Sequence, residues 1–528
     1  MDCQKIPFEK VLQLSHFDHL YAAKQELFRE LLPYPCSMEG IRQAIEVRKE
    51  KPGDRSVIHK MLTDQYADYG ITGREKLIDS LLSDHTFTIV TAHQPYLFGG
   101  PLYFVLKILS AIKLAQQCRD NFPGYDFIPV FYIGGEDHDL DECNNVTVFG
   151  KSVLWQTDQT GPVGRMSTDG LNEALEYTTE ILGNSPNGTL LSEMLRRCYG
   201  PGKTVNEAIT HFIHSLLEEF PVLVLNADNI TAKTMFRPVI RAEIVENVAE
   251  PLVLEQQEKM RSLGLKPQAF VRPINFFYLS LQGRNRIVRE GDRFLIHNTE
   301  ISFTLAEMEA EIESHPERFS PNVIMRPLYQ EFLLPSVAFV GGGGELAYWS
   351  DRRLLFERFK IPMPVLVRRD SMVIIDGGSR KKLQKLSLTV PDLFRDPNEL
   401  KTAFLDSQAE SAISFKDETR ELALLIKKLQ EKVANIDPTL SGFVGSETSS
   451  FFKSIDHIES RVRKSLSHKH NIEIQQLTTL QQKFFPSNSL QERSESFMSF
   501  YVKMGNDLFR RIYACSDPLD FRFKIIEE

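Results

Sequence analysis

Between residues 85 and 135 two short apolar, β-branched runs, HTFTIVTA (85–92) and DFIPVFYIGG (126–135), flank LYFVLKILSAIKLAQQC (102–118), an apolar stretch too long for a strand. Strand, turn, helix and strand in that order make a βαβ unit. Such a unit joins two parallel strands through a right-handed crossover and commits the chain to an α/β architecture. Pro101 suits the first turn of the helix, where it has no N–H to lose. Ligands of open α/β sheets bind beyond the carboxyl ends of the strands. The turns HQPYLFGG and GGEDHD lie just past those ends and are expected to share one crevice.

The same grammar continues. FPVLVLNAD (220–228) reads as a further strand ending in polar groups, residues 268–303 as a small β insertion with glycine turns, and 319–359 as helix, strand, glycine turn and helix. MPVLVRRDSMVIID (363–376) reads as a last strand, and residues 8–82 as mostly helical. After about residue 390 the pattern changes. Leu422, Leu425, Leu429, Val433 and Ile436 fall on one helical stripe, and Phe451, Ile455, Ile458, Val462 and Leu466 on another, joined by DPTLSGFVGS. This predicts an antiparallel coiled-coil hairpin, the alternative being a helical arm packed on the body. The expected organisation is a helical segment (1–84), an α/β core with inserted elements (85–390), a coiled-coil arm (391–484) and a C-terminal segment returning to the core (485–528).

With 528 residues, 42% hydrophobic and 25% charged, the chain can bury a substantial core. A net charge of -9 gives no whole-chain basic footprint for nucleic acid. No run is long and apolar enough to suggest a membrane span, and the N-terminus does not read as a secretory signal. Six scattered cysteines without a C-x-x-C pair fit a reducing cytoplasm rather than a disulfide framework.

Chemistry concentrates at the strand ends. In GGEDHD, alternation along an extended segment would send Glu136 and His138 one way and Asp137 and Asp139 the other. Carboxylates beside a histidine suit acid–base work or the holding of an ammonium group. The competing reading is a polar cap, by Asp137 or Asp139, on a helix beginning at Leu140. A metal is a weaker reading, because no H-x-x-x-H or H-x-x-E-H partner appears. Gly99 and Gly100 let backbone approach a ligand, and the helix that follows offers free N–H groups to an anion. VGGGGELAYW (340–349) supplies Gly341, Gly342, Glu345 and Tyr348; four consecutive glycines imply close approach of ligand or backbone, with a hinge as the alternative. Arg326 and Gln330 share a helical face. Arg326 can grip a carboxylate or phosphate, or pair with Glu331 or Glu345.

Taken together, GGPLYFVLKILSAIKLA, VFYIGGEDHDLDECNNV, HPERFSPNVIMRPLYQEFLLPSVAFVGGGGELAYW and FPSNSLQER (485–493) resemble the bacillithiol biosynthesis cysteine-adding enzymes, in order and spacing from about residue 85 onward. The resemblance implies a Rossmann-type nucleotide-binding core with connecting insertions and a coiled-coil arm that supports a homodimer. It implies a ligase that joins the cysteine carboxyl to the amine of glucosaminyl malate. ATP would be the cosubstrate that activates the acyl group, with Mg accompanying the nucleotide. In that scheme His93 or Gln94 contacts the nucleotide, N–H groups near Gly100 take an anion, Glu136 and Asp137 hold an ammonium, His138 assists proton transfer and Arg326 anchors an anion. The chain departs from the family where Ala92–Tyr96 replaces a Gly-Gln-Gln-Ala-Gly turn and where Gly343 replaces proline. GSRKKL (378–383) is a poor stand-in for a Lys-Met-Ser-Lys-Ser loop. An adenylating or nucleotidyl-transferring enzyme with another substrate, and a non-catalytic nucleotide-binding scaffold, are the alternatives.

Overall fold

The computed structural model describes residues 3–408 and 414–528. The chain divides into two compact units, Met1–Ile375 with Ser489–Glu528, and Asp376–Asn488. In the first unit the predicted βαβ module is present as β1 (Thr86–His93), α1 (Tyr103–Asn121) and β2 (Asp126–Ile133). It is followed by β3 (Leu223–Asn226), α2 (Ile230–Glu246), α3 (Arg326–Leu333), β4 (Ser336–Gly341), α4 (Gly343–Ser350) and β5 (Val365–Arg368). The five strands form one parallel sheet in the order β5-β4-β1-β2-β3. The chain builds outward from β1 to β3, then returns to the other side of β1 with β4. The order therefore reverses between β1 and β4, the place where an open α/β sheet leaves a crevice.

This sheet is covered on both faces, which explains its near-continuous apolar strands. Phe87, Ile89 and Val90 of β1 and Phe127, Ile128, Val130 and Phe131 of β2 are fully buried. Helix α1 buries Phe104, Val105, Ile108, Leu109 and Ile112 as it crosses between them. Each such side chain contributes about 1.5–3 kcal/mol relative to exposure. The helix starts later than Pro101 suggests. Its N-cap is Leu102, and Pro101 forms a β-bridge with Ser496.

The β insertion is a five-stranded sheet built from Phe276–Ser280, Gly283–Glu290, Arg293–Ile296, Ser302–Thr304 and Phe319–Pro321. The single strand expected over 363–376 is in fact two. After β5 the chain leaves the central sheet, and Met372–Ile375 joins a separate sheet with Gln4–Pro7 and Arg522–Glu527. The break has a cause in Arg369–Ser371, which are buried but polar: the Arg369 N–H donates to the Gly341 carbonyl, and Asp370 accepts from Ser110. The helices expected before residue 82 are present, but strand Gln4–Pro7 was not foreseen.

The second unit contains α5 (Lys416–Ile436), α6 (Ser441–Lys469) and α7 (Asn471–Phe484), with α5 and α6 paired. The expected stripes do not coincide with the seam. On α5 the buried residue is Ile426, while Leu425, Leu429 and Ile436 are exposed. On α6, Phe451, Ile458 and Val462 are exposed and Ile455 and Leu466 half-buried. GSRKKL lies on the helix Gly377–Lys385. No described helix is long and apolar enough to cross a membrane.

Candidate functional site

At the reversal point a cleft of about 1330 Å³ opens past the carboxyl ends of all five strands. Ala92 and His93 end β1, Glu136 to Glu142 follow β2, Asp228 follows β3, Gly342 to Tyr348 follow β4 and Arg369 follows β5. Of the residues picked out in the sequence, His93, Gln94, Glu136, Asp137, His138, Asp139, Arg326, Gly342, Glu345 and Tyr348 line it. Gly99, Gly100, Gln330 and Gly341 do not.

Each of these four has a structural task. Gly99 and Gly100 have φ of 81° and 59°, and a Cβ on Gly100 would sit 2.7 Å from the Tyr96 ring. Their freedom makes a tight turn, not a ligand cradle, and the nearby Leu102 N–H is taken by the Glu495 carbonyl. Gln330 is buried; it accepts from Arg326 at 2.9 Å and donates to Glu331. A Cβ on Gly341 would press on the Phe339 ring at 2.9 Å. Packing within the chain explains Gly341 and Gly343, while Gly342 and Gly344 have no such close neighbour and line the cleft. At Gly343 a Cβ would lie 2.2 Å from Asp18 Oδ1, and Asp18 is the buried ion-pair partner of Arg368.

The acidic turn after β2 is a turn, not an extended segment, so simple alternation fails. Gly135 permits it, because a Cβ there would overlap Asn206. Its four titratable groups separate into four tasks. Glu136 is half-buried and ion-paired with buried Lys233, which also reaches Asp228 at 3.4 Å and the Glu317 carbonyl at 3.2 Å. Asp228 is gripped from its other side by Arg165, at 2.5 and 2.7 Å. Burial raises the Glu136 pKa and Lys233 only partly reverses this; burial also acts on Asp228, but Arg165 and Lys233 outweigh it and hold it low. Asp137 Oδ1 folds back onto the N–H groups of His138 and Asp139, while its Oδ2 accepts from Gln94 Nε2 at 2.9 Å. Gln94 also donates to Glu142 at 2.8 Å. Asp139 caps the short helix Leu140–Cys143 by accepting the Glu142 N–H, so the polar-cap reading describes this residue.

His138 is half-exposed. Its Nδ1 lies 3.1 Å from Arg284 Nη1, and Arg284 stacks 4.0 Å over the Phe277 ring. Arginine can only donate, so Nδ1 is the acceptor and the hydrogen resides on Nε2. Burial and the Arg284 charge both lower the His138 pKa, against the pull of Asp137 and Asp139. The ring is neutral and presents a donor.

On the β1–β4 side, Lys107 is buried within apolar α1. It donates to the Ala92 carbonyl and lies 2.7 Å from Glu345 Oε2. Burial pushes its pKa down and Glu345 pulls it back, to about 8. Burial pushes Glu345 up, but Lys107 outweighs it, and the same carboxylate accepts the Gly342 N–H at 2.9 Å. Arg326 therefore pairs with neither Glu331 nor Glu345. It bonds Gln330 and Tyr348 and lies 5.5 Å over the Tyr132 ring. Glu331 pairs instead with Arg48. His93 is half-buried, with Nδ1 at 3.2 Å from the Gln94 carbonyl and Nε2 at 3.0 Å from the Tyr103 hydroxyl. Burial, with Lys107 near, lowers its pKa to about 3. Arg369, paired with Glu492 at 2.8 Å, and exposed Arg493 complete the lining on this side.

Lys107, Lys233, Arg284 and Arg369 escaped the sequence reading. A lysine inside an otherwise apolar helix was the available signal for Lys107. Asp228 ends LVLNAD and Arg493 ends FPSNSLQER, both of them segments already singled out. Arg284 carries no local signal.

The match to known proteins is to two family descriptions: Bacillithiol biosynthesis BshC, N-terminal Rossmann-like domain, over residues 1–370, and its C-terminal coiled-coil domain over residues 372–528. Relatives named "Putative cysteine ligase BshC" include one from Cytophaga hutchinsonii, 34% identical over 523 residues, covering 99% of this chain and 98% of its own. One from Flavobacterium psychrophilum is 33% identical over 530 residues, covering 100% and 99%. A third, from Flavobacterium johnsoniae, is 34% identical over 474 residues, covering 90% and 89%. Matched through both its Rossmann-like and coiled-coil parts, the chain belongs to the bacillithiol biosynthesis BshC family.

Proposed function

We propose that the protein is a carbon–nitrogen ligase that joins the carboxyl of L-cysteine to the amine of glucosaminyl malate, forming bacillithiol. The observation that carries the reading is the division of charge within one cleft. Beyond β2 and β3 the lining carries Glu136, Asp137, Asp139, Glu142 and Asp228, with Arg284 beside Asp137; beside β4 and β5 it holds Arg326, Arg369 and Arg493, with Glu345 already paired to Lys107. A substrate pair bearing ammonium and carboxylate groups at once, with an activating phosphate, suits such a lining.

The carboxylates Asp137 and Glu142, tied together by Gln94, would hold the cysteine ammonium; Glu136 is already committed to Lys233. Neutral His138 presents Nε2–H to the cleft and is suited to donate to the acyl oxygen as negative charge develops there, a contribution of about 10²–10³ in rate for a well-placed donor. With its Nδ1 engaged by Arg284, His138 is a poor proton acceptor. The proton released by the attacking amine would go to one of the cleft carboxylates. ATP fits the basic side, where Arg326 and Arg493 would take its phosphates, and would supply the leaving group on the cysteine carboxyl. Mg would accompany those phosphates.

The reading includes a homodimer through the α5–α6 hairpin, supported by its exposed apolar side chains. The test is incubation of the purified protein with L-cysteine, glucosaminyl malate and ATP, followed by mass-spectrometric detection of bacillithiol. His138→Ala should slow formation about 10²-fold or more. ATP–pyrophosphate exchange driven by another amino acid and not by cysteine would favour the broader adenylating enzyme instead. Cells lacking the protein should accumulate glucosaminyl malate; an unchanged thiol profile would remove the proposal.

A further inference from the structure

Helix α3 opens with Arg326, which lines the cleft, and carries Glu331, which does not, more than a turn further on. Gln330 and Glu331 are fully buried, and Arg48, on the helix Met38–Glu50, is 2% exposed. An unbroken file of hydrogen bonds joins these four side chains. Arg326 Nη1 donates to Gln330 Oε1 at 2.9 Å, and Gln330 Nε2 donates to Glu331 Oε1 at 2.8 Å. Glu331 Oε2 then accepts from Arg48 Nη2 at 3.1 Å and from the Ser336 hydroxyl at 2.7 Å. Arg48 is itself fixed, donating through Nε to the Ser336 carbonyl at 3.1 Å and through Nη1 to the Glu331 carbonyl at 3.2 Å.

The file has a single polarity. A guanidinium donates and never accepts, and an ionised carboxylate accepts and never donates. The glutamine amide between them must therefore turn its NH2 to Glu331 and its oxygen to Arg326. Without an acceptor at position 331 the amide is free to turn over and set N–H against N–H at Arg326, which leaves buried donors unpaired. Arg326 has a long side chain whose rotamer freedom is lost on gripping a ligand, so fixing it beforehand strengthens the grip. Its remaining contacts are looser: the Tyr348 hydroxyl lies 3.5 Å from Nη2, and the guanidinium sits 5.5 Å from the centre of the Tyr132 ring.

We propose that Glu331 is a positioning residue for the cleft, presetting the Arg326 guanidinium through Gln330 for the phosphate groups of a nucleotide. The proposal rests on the reading in which Arg326 takes the phosphates of ATP. It adds that a carboxylate outside the cleft governs how well that grip is made, and that Arg48 and Ser336 anchor the far end of the file.

The experiment is calorimetric titration of the purified full chain with ATP, buffered well above pH 7. There Glu331, whose pKa burial raises to about 7 against the pull of Arg48, is ionised. Arg326→Gln, Glu331→Gln and Gln330→Met should each weaken ATP binding about tenfold, the loss of one charge-assisted hydrogen bond. Glu331→Gln combined with Arg326→Gln should bind no more weakly than Arg326→Gln alone, because the carboxylate acts only through that arginine. A purely structural role would lower the thermal midpoint and leave the ATP affinity of Glu331→Gln within twofold of wild type, and that result would overturn the inference. Additive losses in the double variant would overturn it as well. If Glu331→Gln does not fold, Gln330→Met, which keeps the Arg48–Glu331 pair, decides in the same way. Wild-type protein that takes up no ATP, or an affinity indifferent to Arg326→Gln, would remove the phosphate reading of Arg326 and the inference with it. Sensitivity to Arg326→Gln alone would remove only the inference.

Discussion

The central sheet and the α5–α6 hairpin use apolar side chains in opposite ways. Along β1, Phe87, Ile89 and Val90 are fully buried, whereas on the hairpin Ile436 is 86% exposed, Phe443 61% and Leu425 55%. The sheet satisfies its apolar groups and its charges within one chain. The hairpin leaves large apolar groups exposed, and the proposed second copy would cover them. The difference teaches that helical periodicity announces a surface to be buried without saying by whom.

The comparison breaks most sharply where the first unit buries charge. Lys233→Met removes the cation shared by Glu136 and Asp228; Asp228 keeps Arg165, but Glu136 is left without a cation. A broken buried pair costs about 3–5 kcal/mol, to be read as a drop in urea midpoint. An unchanged midpoint would mean that water reaches this cluster and that it is not a buried network. Next, Ile89→Ala should cost about 2–5 kcal/mol by leaving a cavity in the sheet. Ile436→Ala, measured at dilutions where the chain is monomeric, should stay within about 0.5 kcal/mol. Equal losses would contradict the contrast.

A pH series sharpens it. Glu243 on α2 is buried, and burial raises its pKa from 4.5 to about 7 despite bonds from Asn275 and Ala249. Between those values the folded chain retains a proton that the unfolded chain has released. This contribution is therefore complete below pH 4.5 and lost as pH rises through 7, by on the order of 3 kcal/mol. Glu243→Gln should flatten the stability slope over that window, whatever it does to the baseline. A slope identical to wild type would assign the pH dependence to other groups.

What could be read in the sequence follows the same division. The βαβ module and the common crevice were legible because buried parallel strands are continuous apolar runs and because glycine turns mark their ends. The break between β5 and Met372–Ile375 was not, since it depends on Asp370 meeting Ser110 across 260 residues. The acidic turn was legible as a place but not as a set of roles. Lys233 and Arg284, which decide what Glu136 and His138 can do, come from segments 97 and 146 residues away. Gly99 and Gly100 misled for a related reason: Gly100 is set by Tyr96 and Gly99 by the distant Phe212 and Phe497 rings, and no ligand was needed to explain them. On the hairpin, periodicity correctly signalled paired helices but not the seam, because the seam falls at Ile426, one position from the predicted stripe.

The smallest stability effect tests the assembly. Leu425→Glu with Ile458→Glu places two charges on helix faces where the native side chains are 55% and 53% exposed. In a monomer neither change buries a charge or opens a cavity, so the thermal midpoint at high dilution should move little. In a dimer formed through these faces the same carboxylates would have to be desolvated without partners, and association should weaken by at least an order of magnitude. Sedimentation across a concentration series reads the two cases apart. Loss of the dimer with an unchanged dilute midpoint locates the second copy on the hairpin. A dimer that survives both glutamates would place the interface elsewhere and leave the exposed stripe for a different partner.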